Sequence, residues 1–465
     1  MKEKRTKIKD ELTTQFKKAF KYDSKIKPRG IGIECEIPIV TSDGNIAPFM
    51  VIKRMFNYLD KEGFELVRDK QSREIESARR INADSIEKFD SFFDTITTDV
   101  GYSIIELILA PQKNLFILQD HLSKLLNLLK KFFKTQDCFM LGYGIQPLGE
   151  PSEKIMMPKE RYFFYNKFSS NEFISQKSGS DACLLTITAS NQCHIEIELE
   201  KSIPAVNTLN ALSSLQIALC ANSPIWLGKV EKGIKANREN LWKYCFPDRN
   251  EQIGIPPRFN EESDYIQYLL DFNPFLIERE GRFYKILNKS TYQEYFENIE
   301  SCFAEAFNGE VIELIPKIED INQLFSYSWF NTRLVPKHGT IESRMCCQQP
   351  PHETLCSTAL TLGLIENLKK TQDFESQYSF EFWKELRLNA IKDSLNVFID
   401  NLSITSLIKE LLDIAKEGLI RRGKGEEHFL EPLYTRLEEK KSPADAAIEF
   451  FKDKGIKNLV KELSF

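Results

Sequence analysis

The amino-acid sequence predicts an α+β protein built on a curved antiparallel sheet that is lined with acidic residues, covered by helices and followed by a helical C-terminal part. Two observations predict this fold class. Before residue 355, apolar segments with strand-like alternation are separated by helical segments or by loops that contain proline. After residue 355, almost every segment has helical spacing, for instance Leu407, Leu411 and Leu412.

The elements of the first half follow from this spacing. A helix is expected over residues 4–22, because Pro28 and Gly30 punctuate the chain after it. Next come a strand over 31–40, a tight turn at 43–45, a helix over 48–62, and alternating segments at 64–68 and 73–77. A helix over 84–93, a strand over 102–109 closed by Ala110 and Pro111, and a long helix over 114–135 follow.

Three further strands are expected over 139–146, 183–189 and 192–199, and a core helix over 206–222. We expect three units: a basic N-terminal helix over residues 1–27, a sheet domain over 28–354 that carries the candidate site, and a helical extension over 355–465 packed on it. The sequence contains no internal repeat, P-loop or dinucleotide fingerprint.

The composition is that of an ordinary globular protein, with 42% hydrophobic and 28% charged residues. The net charge of −5 offers no general attraction to nucleic acid, although the first residues are locally basic. Because the sequence lacks a signal-peptide pattern and an apolar stretch long enough to span a bilayer, we expect a cytoplasmic protein with no membrane partner. Ten scattered cysteines predict no disulfide framework.

A set of acidic pairs between residues 29 and 344 points most directly to a functional site. Glu34 and Glu36 flank Cys35 on a predicted strand, so alternation places both carboxylates on one face and the thiol on the other. Buried carboxylates repel one another unless cations lie between them, and hard oxygen ligands suit magnesium. We therefore expect a metal–nucleotide site. The other segments of the set contain Asp99 with Glu106, His194 with Glu196, and Glu342 with Arg344.

Simpler interpretations apply to some polar residues. A lone histidine on an apolar strand, such as His194, is more often a core residue than a ligand. A solvated continuation of the same strand is the interpretation for Glu196, Glu198 and Glu200. A zinc site is not favoured, because the spacing fits no paired-knuckle pattern and two prolines interrupt the four candidates Cys346, Cys347, His352 and Cys356.

Taken in order, these segments resemble the glutamate–cysteine ligases of the plant and proteobacterial type, within the carboxylate–amine ligase group. Residues 32–36 resemble the first strand of that family, and residues 341–344 its last catalytic strand. The resemblance runs nearly end to end and implies a glutamine-synthetase-like catalytic fold. The other segments that follow the family's order lie at residues 97–99, 105–107, 155–162, 221–224, 238–254, 414–423 and 442–445.

The resemblance implies ATP-driven amide formation through a γ-glutamyl phosphate, with L-glutamate and L-cysteine as substrates. ATP is then a co-substrate, and Arg344 and Arg238 are the expected catalytic residues, because a guanidinium grips phosphate or carboxylate with two hydrogen bonds. The expected ligands of Mg²⁺, with Mn²⁺ as an alternative, are Glu34, Glu36, Asp99, Glu106, His194 and Glu342. The expected substrate-binding residues are Arg333, Lys159, Arg161 and Tyr162.

Two alternatives stay open at this point. After Arg344 the family continues with small and acidic residues, whereas this chain has Met-Cys-Cys-Gln-Gln-Pro at 345–350, which leaves the acid and the amine undetermined. The first alternative is a related carboxylate–amine ligase that joins a different acid or amine. The second is a catalytically inactive, nucleotide-binding regulatory protein. The expected partners are small molecules, and the chain is expected to be a monomer or a homodimer.

Overall fold

The computed structural model describes residues 2–82, 93–166, 182–230, 233–287, 290–297, 302–400 and 402–465. Its centre is a nine-stranded sheet in which neighbouring strands are antiparallel, as predicted. In chain order the strands of the protein are β1 (Ile31–Thr41), β2 (Glu65–Arg68), β3 (Ile75–Ile81), β4 (Phe93–Thr98), β5 (Ile104–Gln112), β6 (Cys138–Met140), β7 (Asn191–Glu196), β8 (Ile225–Trp226), β9 (Lys229–Val230), β10 (Ile253–Gly254), β11 (Ile277–Arg279), β12 (Arg282–Ile286), β13 (Cys302–Glu305), β14 (Val311–Leu314), β15 (Trp329–Phe330), β16 (Thr332–Val335), β17 (Thr340–Ser343), β18 (Phe398–Ile399) and β19 (Leu402–Ser403).

Across the central sheet the order is β16-β17-β7-β1-β5-β4-β3-β2, and β6 pairs with the end of β1. A separate four-stranded sheet has the order β11-β12-β13-β14. The α-helices span Lys2–Ala19, Phe49–Lys61, Leu115–Thr135, Glu160–Asn166, Leu199–Ala211, Ser213–Cys220, Asn237–Cys245, Glu262–Leu270, Tyr292–Glu297, Ile321–Ser326, Cys356–Glu366, Leu368–Glu375, Phe380–Asp393, Ile404–Arg422, Glu431–Glu439 and Pro443–Glu462.

Alternation along β1 separates a polar face of the sheet from an apolar one. Cys35 is buried in the main core, whereas Glu36 lines a cavity on the other face, as predicted. The strand register then places Glu36 opposite Glu106 on β5, and Glu342 on β17 opposite His194 on β7. Residues that are far apart in the sequence therefore share one face because their strands are neighbours.

One hydrophobic core joins the three units expected from the sequence. It includes Leu12 of the first helix, Ile33 of the sheet and Leu411 of the C-terminal part. Helix Cys356–Glu366 contacts β7 and crosses helix Ile404–Arg422. At this crossing Gly363 and Gly418 let the backbones approach so closely that a Cβ on either glycine would collide with the other helix. The division into three units itself stays a prediction.

Several predicted elements were wrong in type or extent. Residues 183–189 are not a strand, because Ala182–Ile187 forms a 3₁₀ helix in which every residue is buried. Thr186 and Thr188 alternate with apolar residues as in a strand, but the whole segment is buried, so this alternation does not mark a solvent-facing side and does not determine the structure. The predicted helix over 206–222 is two helices that are bent by 50° between Ala211 and Ser213.

The extents of other strands also differ from the prediction. The strand expected over 139–146 is limited to Cys138–Met140, because Gly142 lies against the backbone at Gln349 and leaves the sheet. β7 ends at Glu196 rather than residue 199, and β5 continues through Pro111 to Gln112, which pairs with Ile31. The helix expected over 84–93 lies outside the described residues except for Phe93, which begins β4.

In the described part of the chain, no one helix combines the length and the apolar character needed to cross a membrane. By those two criteria alone, only the bent pair Leu199–Ala211 and Ser213–Cys220 would qualify together.

Candidate active site

A cavity of about 360 Å³ lies over the polar face of the sheet, where β1, β5 and β7 meet the segment before β5 and the segment after β17. It brings together most of the candidates from the sequence. Of the twelve, nine line it directly: Glu34, Glu36, Asp99, Glu106, Arg161, Tyr162, Arg238, Arg333 and Arg344. The other three, Lys159, His194 and Glu342, lie beside these residues and contact them or their strands.

At one end, Glu34, His194 and Glu342 form a group that we call the arginine-side cluster. His194 Nε2 lies 3.1 Å from Glu34 Oε1 and 4.0 Å from Glu342 Oε2, and His194 Nδ1 lies 3.2 Å from Thr340 Oγ1. Burial lowers the pKa of His194, but Glu342 and Glu34 outweigh that effect and hold this pKa above its ordinary value. The two carboxylates therefore stabilise the charged form of the histidine.

Two arginines hold the carboxylate of Glu342. Arg333 Nε donates to Glu342 Oε2 at 2.6 Å, and Arg344 Nη1 donates to Glu342 Oε1. Burial would raise the pKa of Glu342, but Arg333 and Arg344 overcome it and keep this pKa below the ordinary range. Burial would also raise the pKa of Glu34, but the hydrogen bond from His194 lowers it. On balance the pKa of Glu34 is below its ordinary value.

At the other end, Glu36, Asp99 and Glu106 form what we call the carboxylate cluster. Burial raises the pKa of Glu36 to about 7, and Asp99 contributes to the same shift. Burial raises the pKa of Glu106 well above its ordinary value, and the neighbouring carboxylates raise it further. Burial also raises the pKa of Asp99, although Arg161 opposes it. These three acids have too little positive charge around them to be ionised together.

Lys159 lies close enough to the carboxylate cluster for Glu106 and Asp99 to act on its charge, and its ammonium group is bonded to β4. Its Nζ donates to Thr98 O at 2.6 Å and to Thr97 Oγ1 at 3.0 Å. Burial, together with the charge of Arg161, lowers the pKa of Lys159 to about 8. Lys159 is therefore a buried residue of the site and not a solvated surface residue.

The expectation that Glu196, Glu198 and Glu200 are all solvated was wrong for the first two. Glu196 is buried and accepts from Lys27 Nζ at 2.5 Å and from Gly30 N at 2.8 Å. Glu198 is buried against Arg29, with 3.2 Å between the charged atoms. These pairs anchor the segment that leads into β1, and only Glu200 is exposed as expected.

The cysteine and histidine candidates for zinc are not assembled into a site. Cys346, Cys347 and Cys356 are buried, whereas His352 is exposed with a φ of 70°. Among the described residues, one group brings three candidate ligand atoms within 4.8 Å of one another, and it is the arginine-side cluster.

Sequence reasoning missed Gln192 and Ser190, which hold Glu36 in place. Gln192 Nε2 donates to Glu36 Oε1 at 2.7 Å, and the backbone N–H of Ser190 donates to Glu36 Oε2 at 2.5 Å. A signal was present for one of them, because Gln192 precedes His194 by two residues on β7 and must share its face. The aromatic residues Tyr162, Tyr327 and Trp329 are buried and also line the cavity.

The order of these segments along the chain matches the family model of glutamate-cysteine ligase family 2 over residues 32–462. The chain belongs to this family. The chloroplastic glutamate–cysteine ligase of Medicago truncatula is 25% identical over 323 residues, which are 68% of this chain and 59% of the relative. The chloroplastic enzyme A of Oryza sativa subsp. indica is 24% identical over 326 residues, 68% of this chain and 61% of the relative. The matched region thus spans less than two thirds of these relatives.

Solved structures share the fold of this glutamate-cysteine ligase family 2 member. The glutamate–cysteine ligase of Francisella tularensis, solved in complex with AMP, aligns with 94% of this chain and 87% of its own, at a TM-score of 0.55 and 15% identity. A bifunctional glutathione synthetase from Pasteurella multocida aligns with 98% of this chain and 52% of its own, at a TM-score of 0.50 and 13% identity. The predicted fold class is confirmed.

The donor set of this family member fits a hard divalent cation. The carboxylate cluster offers only oxygen ligands, and its raised pKa values indicate a deficit of positive charge. Glu34 lies between the two clusters and belongs to the group whose ligand atoms are closest together. The residues present can therefore hold Mg²⁺, although nothing in the donor set separates Mg²⁺ from Mn²⁺.

Proposed function

We propose that the protein is an ATP-dependent ligase that forms γ-glutamylcysteine from L-glutamate and L-cysteine through a γ-glutamyl phosphate. The observation that carries this proposal is the match of the family model over residues 32–462. The cavity supports it, because twelve residues assigned from the sequence lie in or beside a single site of about 360 Å³.

The chemistry of such a reaction requires positive charge. Phosphoryl transfer to a carboxylate brings two anions together, and a bound magnesium ion would neutralise charge and orient the phosphates. The residues that would hold it are Glu34, Glu36, Asp99, Glu106, His194 and Glu342. Two of them are buried and four are half-buried, and this limited contact with water strengthens each charge interaction at the site.

Three arginines would act on the anionic groups of the substrates. Arg344 is held in the cavity by Glu342, and a guanidinium fixed in this way can stabilise the transferred phosphoryl group without reorganising. Arg333 shares the same carboxylate and would assist it. Arg238 would bind the α-carboxylate of the acid, and Arg161 and Tyr162 line the same cavity, where both interact electrostatically with Asp99.

The nucleophilic amine must be neutral when it attacks the acyl phosphate. No described residue is assigned here as the base, because the free amine can also be favoured by the low dielectric of a closed site. The segment that carries Lys159 and Arg161 would favour the free amine by covering the substrates. Hydrogen bonds from Lys159 hold this segment against β4.

The test is release of phosphate from ATP and magnesium, measured with a panel of amino acids supplied singly and in pairs. Release that depends on L-glutamate and L-cysteine together supports the proposal. Release with another pair keeps the ligase mechanism and replaces the substrates, as in a related carboxylate–amine ligase. No phosphate release with any pair favours the inactive regulatory protein.

The inactive alternative is the less favoured one on physical grounds. Buried charges cost stability, and a chain without catalytic demands has no reason to retain two buried and three half-buried carboxylates in and beside one cavity. The cytoplasmic location, the monomeric or homodimeric state and the absence of nucleic-acid and membrane partners stay predictions. Cell fractionation and light scattering of the purified protein test the first two.

A further inference from the structure

We propose that Gln192 selects for the α-ammonium group of the acid substrate, in partnership with Arg238 at the α-carboxylate. The inference rests on the proposed function, because it names how that ligase recognises one of its substrates. Gln192 lies on β7, opposite Glu34 on β1, and lines the same cavity as the two clusters. It is a candidate for substrate contact that neither the motifs nor the metal assignment used.

Two hydrogen bonds determine the orientation of the Gln192 amide. Its Nε2 donates to Glu36 Oε1 at 2.7 Å and to Ser190 Oγ at 3.0 Å. When Glu36 holds a cation it is ionised and only accepts hydrogen bonds, so the NH₂ group faces Glu36, as in the structure, and the carbonyl oxygen faces away from it. The positions of the amide nitrogen and oxygen therefore follow from the chemistry of the neighbour.

The carbonyl oxygen of this amide is left without a hydrogen-bond donor in the described part of the chain. Gln192 Oε1 is buried and has no hydrogen-bond partner among the residues that the structure describes, and the whole residue is 4% exposed. An unpaired buried acceptor costs free energy, so such an oxygen is expected to meet a donor when the site is in use. A ligand in the cavity can supply that donor.

Within the described ranges, Arg238 has an unpaired donor, whereas Gln192 has an unpaired acceptor. Its Nη1 is bonded to Arg344 O at 2.7 Å and to Glu239 Oε2 at 3.1 Å, but its Nε is buried without a partner in the described part of the chain. Arg238 also acts electrostatically on Glu36, the neighbour of Gln192. An unused cationic donor and an unused neutral acceptor in one cavity match the carboxylate and the ammonium group of an α-amino acid.

The charge around Gln192 favours an ammonium group over a neutral donor. Glu36 lies against the amide, and Asp99 and Glu106 complete an acidic wall. The negative charge of these carboxylates that a bound cation leaves uncompensated attracts a cationic donor and repels a second anion. A carbonyl oxygen can also bind a metal ion, so the experiment must separate substrate selection from metal binding.

The experiment compares L-glutamate with glutarate, which has the same two carboxylates and no amine. The full-length protein is assayed for phosphate release with ATP, magnesium and cysteine at saturation. We expect the wild type to prefer glutamate, and Gln192→Met to reduce the ratio of the two kcat/KM values about 10- to 100-fold. The loss should appear as a higher KM for glutamate, with the KM for glutarate within about twofold of wild type.

Two matched variants control for structural effects. Gln323→Met makes the same change on another glutamine of the cavity, whose Nε2 donates to Glu278 Oε2 at 3.3 Å, and should leave the preference for glutamate as it is. Ser190→Ala removes one partner of the Gln192 Nε2 but not the Oε1 acceptor, so it should also keep the preference. If Gln192→Met does not fold, Gln192→Asn withdraws the amide by one methylene and should again lower the ratio.

Two results would overturn the inference. Equal losses with glutamate and glutarate would mean that Gln192 acts only by holding Glu36. A changed magnesium requirement with an unchanged ratio would make it a metal-site residue. If the wild type releases no phosphate with any pair, the proposed function fails by itself. Equilibrium dialysis of labelled glutamate then decides the inference, because equal binding by wild type and Gln192→Met excludes it.

Discussion

The two ends of the cavity contain carboxylates in opposite electrostatic states. In the arginine-side cluster, Arg333 and Arg344 neutralise Glu342, and the pKa of Glu342 stays below its ordinary range although burial opposes this. In the carboxylate cluster, burial raises the pKa of Glu36 to about 7 and that of Glu106 well above normal. One sheet face thus presents one cluster in which the counter-charges outweigh burial and one in which burial outweighs the counter-charges.

This difference shows that geometry and charge point to different places for a metal ion. The closest set of candidate ligand atoms is Glu34, His194 and Glu342, all within 4.8 Å of one another. However, both carboxylate oxygens of Glu342 are already bonded to arginines. The carboxylate cluster has the larger deficit of positive charge, so we expect a divalent cation to bind there first, with Glu34 able to join either cluster.

The largest expected effect is that of Glu106→Gln. The variant removes a ligand from the cluster that needs a cation, so we expect the rate of phosphate release to fall at least about 100-fold and the magnesium requirement to rise. Without magnesium the same variant should have a higher Tm than wild type, because it removes a carboxylate that burial and its neighbours disfavour. Steady-state assays over a magnesium series and thermal melts in EDTA measure the two effects.

Replacement of Glu342 should have the opposite effect on stability. Glu342→Gln leaves Arg333 and Arg344 without their shared counter-ion, and removing one partner of a buried charge pair costs about 3–5 kcal/mol. Urea unfolding in EDTA measures this loss. An unchanged midpoint would show that the arginines find other partners, and the contrast between the two clusters would then be wrong.

The pH dependence of stability should report the carboxylate cluster. Because folding raises the pKa values of Glu36, Asp99 and Glu106, the folded protein binds protons more tightly than the unfolded chain. Without divalent cations, the free energy of unfolding contributed by these groups should increase as the pH falls from about 8 through the raised pKa values, and the gain is complete below about 4. Magnesium should stabilise more at pH 8 than at pH 6, because it competes with these protons.

Urea unfolding of wild type and Glu106→Gln at pH 8 and pH 6, each with EDTA and with magnesium, gives the comparison. The variant should show a weaker pH dependence in EDTA than wild type. Identical pH dependence in both proteins would exclude Glu106 as a source of the effect.

The smallest effect is expected at the edge of the same sheet. Arg79 on β3 and Glu65 on β2 form an exposed ion pair through two hydrogen bonds. Water screens this pair, so Arg79→Gln should change neither the Tm nor the magnesium requirement by a measurable amount. A clear loss of stability in Arg79→Gln would mean that the contribution of an ion pair on this sheet does not depend on its burial, contrary to the contrast drawn from the two clusters.

Much of the fold was readable because strands and amphipathic helices have a period. The alternation at 34–36 predicted that Cys35 and the two glutamates point to opposite faces, and the structure confirms it. The same reasoning failed at 183–189, where threonines alternate with apolar residues as in a strand but every residue is buried in and after a 3₁₀ helix. It also failed for Glu196 and Glu198, because their partners Lys27 and Arg29 lie on a segment that the sequence separates from them by about 170 positions.

By itself, the sequence determined the fold class, the acidic face and the list of candidate residues, because residue type and spacing are local properties. The tertiary structure decided which candidates are neighbours and in what state of charge. Strand register sets Arg333 opposite Glu342 but sets Glu36 opposite Glu106. Only this pairing shows that similar carboxylates differ in pKa. The pKa of a carboxylate depends on its burial and on the charges that face it across the sheet, and neither can be inferred from the spacing of residues in the sequence.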